Sequence, residues 1–137
     1  MKARLLFFIP AFVYTLGILY LSLINLTDTP VKDLGVSDKV MHAGAYFGLG
    51  FIWMFFALMN YPEKGFFKRL LFIIIASIIF GIFIEVLQDS LTTYRELDFY
   101  DIFANSIGVL AAGILVWLIK DSLIRLKAKI NLFFIKK

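Results

Sequence analysis

The chain has 137 residues, of which 61 % are hydrophobic and 18 % aromatic, with a mean hydropathy of +0.89 and a formal net charge of +4. A single domain of this length cannot hide that much apolar surface from water, so a soluble globular protein is excluded and lipid is the expected solvent. With no cysteine, a disulfide framework, a thiolate metal site and a cysteine nucleophile are excluded as well.

Segment one, about residues 5–26, follows Lys2 and Arg4. Its apolar run is too long for the core of a signal peptide, and no small-x-small cleavage pattern follows it, so a retained helix is expected. Segment two covers about 40–59, segment three about 70–88 and segment four about 99–119. Each approaches the ~20 residues that cross ~30 Å of hydrocarbon. The alternating ten-residue segments of a membrane barrel are absent, which leaves helices as the spanning form. The expected fold is all-α, a four-transmembrane-helix bundle forming one domain over 1–137. The tail, 120–137, interleaves Leu123, Ile124, Leu126, Ile130, Phe133 and Phe134 with six cations. It reads as a basic amphipathic helix on an anionic leaflet, or equally as a plain helical extension of segment four.

Charge sets the expected orientation. Two Lys or Arg precede segment one, three lie in 60–69 and six follow segment four, whereas 27–39 and 89–98 hold only Lys32, Lys39 and Arg95. The second set of loops is instead acidic, with Asp28, Asp33, Asp38, Asp89, Glu96 and Asp98, and Asp101 follows close behind. The positive-inside rule then places both termini in the cytoplasm.

The polar residues concentrate at the outward ends. Asp38 and His42 are one helical turn apart, with Tyr46 a turn further in. Ser77, Gly81, Glu85 and Gln88 form one stripe of segment three, and Asp98, Asp101, Asn105, Gly108 and Ala112 form one stripe of segment four. Polar stripes that continue into Gly and Ala are expected to face another helix, and these two to face each other. A Gly44-x-x-x-Gly48 pair lies on a different face of segment two from His42. Bland roles exist for each residue. Asp38 and Asp98 suit helix caps, Gln88 and Asn105 suit hydrogen bonding between helices, and Glu85 could pair with Arg95 or Lys39. Capping does not account for Glu85, which sits about a turn inside an apolar helix. Ionisable groups in a bilayer are costly unless paired, so their convergence marks a candidate site.

The runs Asp38-Lys39-Val40-Met41-His42 with Tyr46-Phe47-Gly48-Leu49-Gly50, then Gly81 through Glu85 to Gln88, then Arg95 through Asp98, Asp101 and Asn105 to Gly108, resemble in order and spacing the signatures of the VanZ-like family of small bacterial membrane proteins. The resemblance spans roughly residues 37–117, and it departs in lacking a proline between Gln88 and Arg95. It implies a multi-pass protein of the bacterial plasma membrane with an envelope-related role. The family takes its name from a member that confers low-level resistance to the glycopeptide teicoplanin. The resemblance implies no particular reaction.

Three functions are open at this level. The first is an outward-facing site for an anionic lipid or lipid-linked cell-wall precursor. Its candidate binding set is Asp38, Lys39, His42, Glu85, Gln88, Arg95, Asp98, Asp101 and Asn105. Lys39, Arg95 and His42 would meet phosphate, while Glu85, Asp98 and Asp101 are candidates for a divalent cation. In an enzymatic form Glu85, His42 or Asp101 would serve as base. The second is a polar latch that fixes helix packing in a non-enzymatic or partner-binding protein. The third, a transporter subunit with a proton-linked Glu85, ranks lower because the polar groups avoid the midplane where transporter sites lie. The bilayer is the expected partner, and nucleic acid is not.

Overall fold

The computed structural model describes residues 2–24, 37–93 and 96–135, with side chains described over 5–24, 37–93 and 96–132. Four helices account for nearly all of this: α1 (Lys2–Leu23), α2 (Asp38–Asn60), α3 (Phe66–Leu91) and α4 (Phe99–Ile135). All four are long and apolar enough to cross a membrane. Their outer faces carry Phe72, Ile79, Phe99, Trp117 and Leu118, all exposed. Contiguous apolar surface on this scale belongs in hydrocarbon rather than in water. The chain is thus a multi-pass membrane protein.

Local chemistry sets the helix ends. Tyr61 precedes Pro62, whose ring disfavours helical backbone in the residue before it. Tyr61 is accordingly extended (φ −119°, ψ 156°) and ends α2. Gly65 then takes φ +78°, a left-handed conformation that glycine adopts without steric cost, and starts α3. At the far end of α3 the Thr92 hydroxyl donates to the Gln88 carbonyl at 2.7 Å, satisfying one of the acceptors a helix terminus leaves open.

α2 is the organising helix. It packs most extensively on α4 and also touches α1 and α3, whereas the backbones of α1 and α4 do not approach each other among the described residues. The α1 interface is aromatic. Phe7 meets Phe55 edge-on at 5.6 Å, and Phe8 meets Trp53 at 5.9 Å and Phe56 at 5.8 Å. Two hydrogen bonds set its register: Trp53 Nε1 donates to Thr15 Oγ1 at 3.0 Å, and the Tyr14 hydroxyl donates to the Ala45 carbonyl at 3.1 Å. The missing side chain of Gly48 makes room for the Tyr14 ring, while a Cβ at Gly44 would meet nothing within 4 Å among the described residues. The Gly44-x-x-x-Gly48 pair therefore does not act as a helix–helix contact of its own.

The α2–α4 interface is close because Gly108 lies against the backbone of Ala43 and Phe47, and Gly50 against Val109 and Ala112. The stripe of segment four thus backs mainly onto α2 rather than, as expected, onto segment three. α3 approaches through Gly81, against which the Tyr46 ring and the Asn105 Cβ rest. Large apolar side chains of α2 and α4, among them Leu49, Met54, Val109 and Val116, fill the space between.

The tail is resolved as a continuation of segment four. α4 runs 37 residues without a break, and about 20 of these suffice to span the hydrocarbon. Lys127 Nζ donates to the carbonyls of Leu58 at 2.9 Å and Tyr61 at 2.6 Å, capping the open C-terminal acceptors of α2. Leu123 is buried and Ile124 and Ile130 pack beside the core, so this extension is amphipathic and continues the bundle.

Candidate functional site

At the end where α2 and α4 begin and α3 finishes, side chains from the three helices converge. α2 contributes Asp38, Lys39 and His42 from its first turns. Ser37 takes the position ahead of the helix without a capping hydrogen bond, so the Asp38 carboxylate is left to face Lys39 and His42, at 3.8 Å from each. α3 contributes Glu85 and Gln88, both almost fully buried, at 2 % and 1 % exposure. α4 contributes Asp101 and Asn105 from its buried face. Asp98, just ahead of α4, does two jobs. Its backbone and side chain accept from the first amides of α4, with Oδ1 taking the Tyr100 N–H at 2.7 Å, and its Oδ2 bonds Lys39.

Lys39 is the clamp across the mouth. Its ammonium donates to Asp98 and to Asp101 Oδ1, joining the starts of α2 and α4. The Lys39 ammonium, helped by the Tyr100 amide, holds the Asp98 carboxyl below its ordinary range. His42 is the centre. Its Nδ1 lies 3.2 Å from Asn105 Oδ1 and 3.9 Å from Glu85 Oε1. Its Nε2 lies 3.8 Å from Asp38 Oδ1 and 3.7 Å from Asp101 Oδ2. One imidazole thus touches all three helices. Gln88 anchors α1 as well, since its Nε2 donates to the Ser22 carbonyl at 2.8 Å.

These groups surround a cleft of about 220 Å³ lined by Asp38, Glu85, Gln88, Glu96, Asp98 and Asp101. Polarity is graded through it. Asp38, Lys39 and Asp98 are partly exposed at the rim, with side-chain exposures of 50 %, 40 % and 37 %. Glu85, Gln88 and Asn105 form a closed floor. Three buried polar atoms there have no hydrogen-bond partner among the described residues: Tyr46 Oη, Gln88 Oε1 and Asn105 Nδ2. Buried polar groups are ordinarily satisfied, so unsatisfied ones in a cleft wall invite a ligand or water.

Eight of the nine candidate residues lie together here. Arg95 lies outside the described residues, as does the 27–36 loop, so neither the Glu85–Arg95 pairing nor the acids of that loop can be placed. Lys39 selects Asp38, Asp98 and Asp101 as its ion-pair partners. The sequence pointed to Glu85, Asp98 and Asp101 as cation ligands. The ligand atoms that converge are instead those of Asp38, His42 and Asp101, all within 4.8 Å of one another, because Asp98 turns to Lys39 and its own helix end. Two participants went unforeseen. Glu96 lines the cleft by standing two residues ahead of the Asp98 cap, a proximity the sequence did offer. The Ser22 carbonyl is a backbone group and carries no sequence signal.

Compared with models of protein families, with curated proteins and with solved structures, the chain matches none.

Proposed function

We propose that this is a membrane protein of VanZ-like type, lying in a bacterial plasma membrane with both termini cytoplasmic. In this reading its outward-facing cleft binds the phosphate group of an anionic lipid or lipid-linked envelope precursor, and through that ligand influences susceptibility to teicoplanin-type glycopeptides. One observation carries the reading: a polar cleft with a buried floor opens at the helix ends, the depth at which lipid headgroups sit. Two helix N-termini, those of α2 and α4, meet there and favour negative charge. Lys39 offers a partly exposed ammonium at the rim. The lining is itself rich in carboxylates, so a phosphate is received through Lys39 and a cation rather than by a basic pocket.

The ion pairs from Lys39 to Asp98 and Asp101 support a second reading, in which the cluster is a latch holding α2 to α4 and the protein acts non-enzymatically or through a partner. Thermal unfolding of detergent-purified protein with undecaprenyl phosphate, a lipid-linked precursor or teicoplanin separates the two. A bound ligand at a hundredfold excess over its dissociation constant stabilises by about 2.7 kcal/mol. The site reading expects such a shift with a phosphate lipid and its loss in Glu85→Gln, a variant that keeps size while removing charge. No shift with any of these ligands, together with failure of Glu85→Gln and Asp101→Asn to accumulate, establishes the latch.

A further inference from the structure

We infer that Asp38, His42 and Asp101 form a divalent-cation site of the zinc class, with Asn105 orienting the histidine and one coordination position open towards the cleft. The three side chains offer one nitrogen and two oxygens within 4.8 Å of one another. His42 Nε2 is 3.8 Å from Asp38 Oδ1 and 3.7 Å from Asp101 Oδ2. Zinc binds such atoms at about 2.0–2.2 Å, so tetrahedral ligands stand roughly 3.3–3.6 Å apart. The two histidine–carboxylate separations need to contract by only a few tenths of an ångström, and the two carboxylates, within 4.8 Å of each other, must close by up to about 1.5 Å, a shift that the half-exposed Asp38 side chain can make. Asp101 can serve without releasing Lys39, because Lys39 takes Oδ1 and leaves Oδ2 facing the histidine.

The surroundings are those of a metal-ligating histidine. Such a histidine donates its other ring N–H to a carbonyl or carboxylate, which fixes the tautomer and aims the lone pair at the ion. Asn105 Oδ1 stands 3.2 Å from Nδ1 and is the acceptor in this role. With Nδ1–H so held, the Nε2 lone pair faces two carboxylates, an arrangement that a cation completes. Charge agrees. Among the described residues, the cleft is lined by the carboxylates of Asp38, Glu85, Glu96, Asp98 and Asp101, and Lys39 pairs with three of them, so the site carries an excess of negative charge that a divalent cation would reduce.

Gln88 supplies an independent sign. It lines the same cleft, is 1 % exposed and spends its amide nitrogen on Ser22, yet its Oε1 has no partner among the described residues. An oxygen acceptor in an acidic cleft can be satisfied by a cation or by water, and a cation here would also offset the surrounding carboxylates. An imidazole with two carboxylates suits zinc or a neighbouring first-row dication, whereas magnesium and calcium prefer all-oxygen sets. Three protein ligands leave the fourth position for an exogenous oxygen. The identity of that oxygen, a phosphate oxygen, rests on the function proposed above; the metal site does not.

The test is calorimetric titration of zinc chloride into the full chain, purified in detergent through a tag free of histidine. His42 is the sole histidine, so cobalt substitution gives a visible spectrum in which any imidazole signature reports this position alone. One zinc equivalent per chain is expected. His42→Gln and Asp38→Asn should each weaken binding at least tenfold, and Asn105→Ala should weaken it by about 10- to 100-fold. Asp38 is half-exposed, so Asp38→Asn keeps its helical circular dichroism and decides the matter if a buried variant does not fold. No saturable equivalent, or affinity unchanged in Asp38→Asn and His42→Gln, overturns the site. Undecaprenyl phosphate, measured separately with and without chelator, isolates the other reading. A lipid shift without any saturable zinc equivalent removes the metal and leaves the lipid site. Zinc binding without any lipid shift does the reverse.

Discussion

Replacing Gly108 with alanine is expected to cost about 2 kcal/mol and to loosen the polar cleft at the same time. A Cβ at position 108 would overlap the Ala43 carbonyl oxygen outright and stand 2.9 Å from both the Ala43 carbonyl carbon and the Phe47 nitrogen. Ordinary contacts of this kind lie near 3.5–4.0 Å, and both neighbours are backbone atoms that no rotamer change can move. α2 and α4 must therefore separate by roughly 1 Å or more. Overpacking of this sort costs about 1–3 kcal/mol, offset by the ~0.5–1 kcal/mol that alanine gains over glycine within a helix. The same separation would carry His42 Nδ1 and Asn105 Oδ1, now 3.2 Å apart, beyond hydrogen-bond range. Gly44 is the control. It lies on the same helix as His42 with nothing among the described residues within 4 Å of its would-be Cβ, so Gly44→Ala should be neutral or stabilising. Thermal unfolding of both variants in one detergent, followed by circular dichroism, compares them directly. If Gly108→Ala melts at or above the parent, or Gly44→Ala falls as far, the account of α2–α4 packing is wrong.

Other outcomes follow from the same contacts. Lys127→Gln removes a cation from the carbonyls of Leu58 and Tyr61 and should lower stability by about 1 kcal/mol, read as a shift in unfolding temperature. Trp53→Phe keeps the ring contacts but loses the bond to Thr15. It should cost about 0.5–1.5 kcal/mol, and proteolysis should show α1 loosening first. The Asp98 carboxyl is held below its ordinary value of 3.8. Its clamp therefore contributes fully above that value and is lost as pH falls through the lower folded one. A melting profile of the parent should drop below about pH 4, and Asp98→Asn should lack that part of the drop. Because the chain has no cysteine, single cysteines at Lys64 and Glu96 should label from opposite faces of the membrane, with Lys64 on the cytoplasmic side. Labelling of Lys64 from the outer face would refute the orientation, and labelling of both from one face would refute the span of α3 between them.

The number of spans, their approximate limits and the end at which polar residues gather were legible in the order of residues alone. Hydropathy and charge are properties of single residues summed along the chain, so twenty apolar residues declare a span whatever surrounds them. The stripe of Ser77, Gly81, Glu85 and Gln88 was legible for the same reason, and all four are buried. The lateral arrangement was not. In lipid the buried and exposed faces of a helix are both apolar, so amphipathicity does not say which neighbour a face meets. Only tertiary structure decided that Gly108 and Ala112 back onto α2, that α1 stands apart from α4, and that Lys39 reaches Asp98 and Asp101, 59 and 62 residues away. It likewise exchanged Glu85 and Asp98 for Asp38 and His42 in the converging ligand set. A carboxylate's partner depends on helix rotation and on competition at close range, and at Asp98 the nearest competitors were Lys39 and the first amides of its own helix.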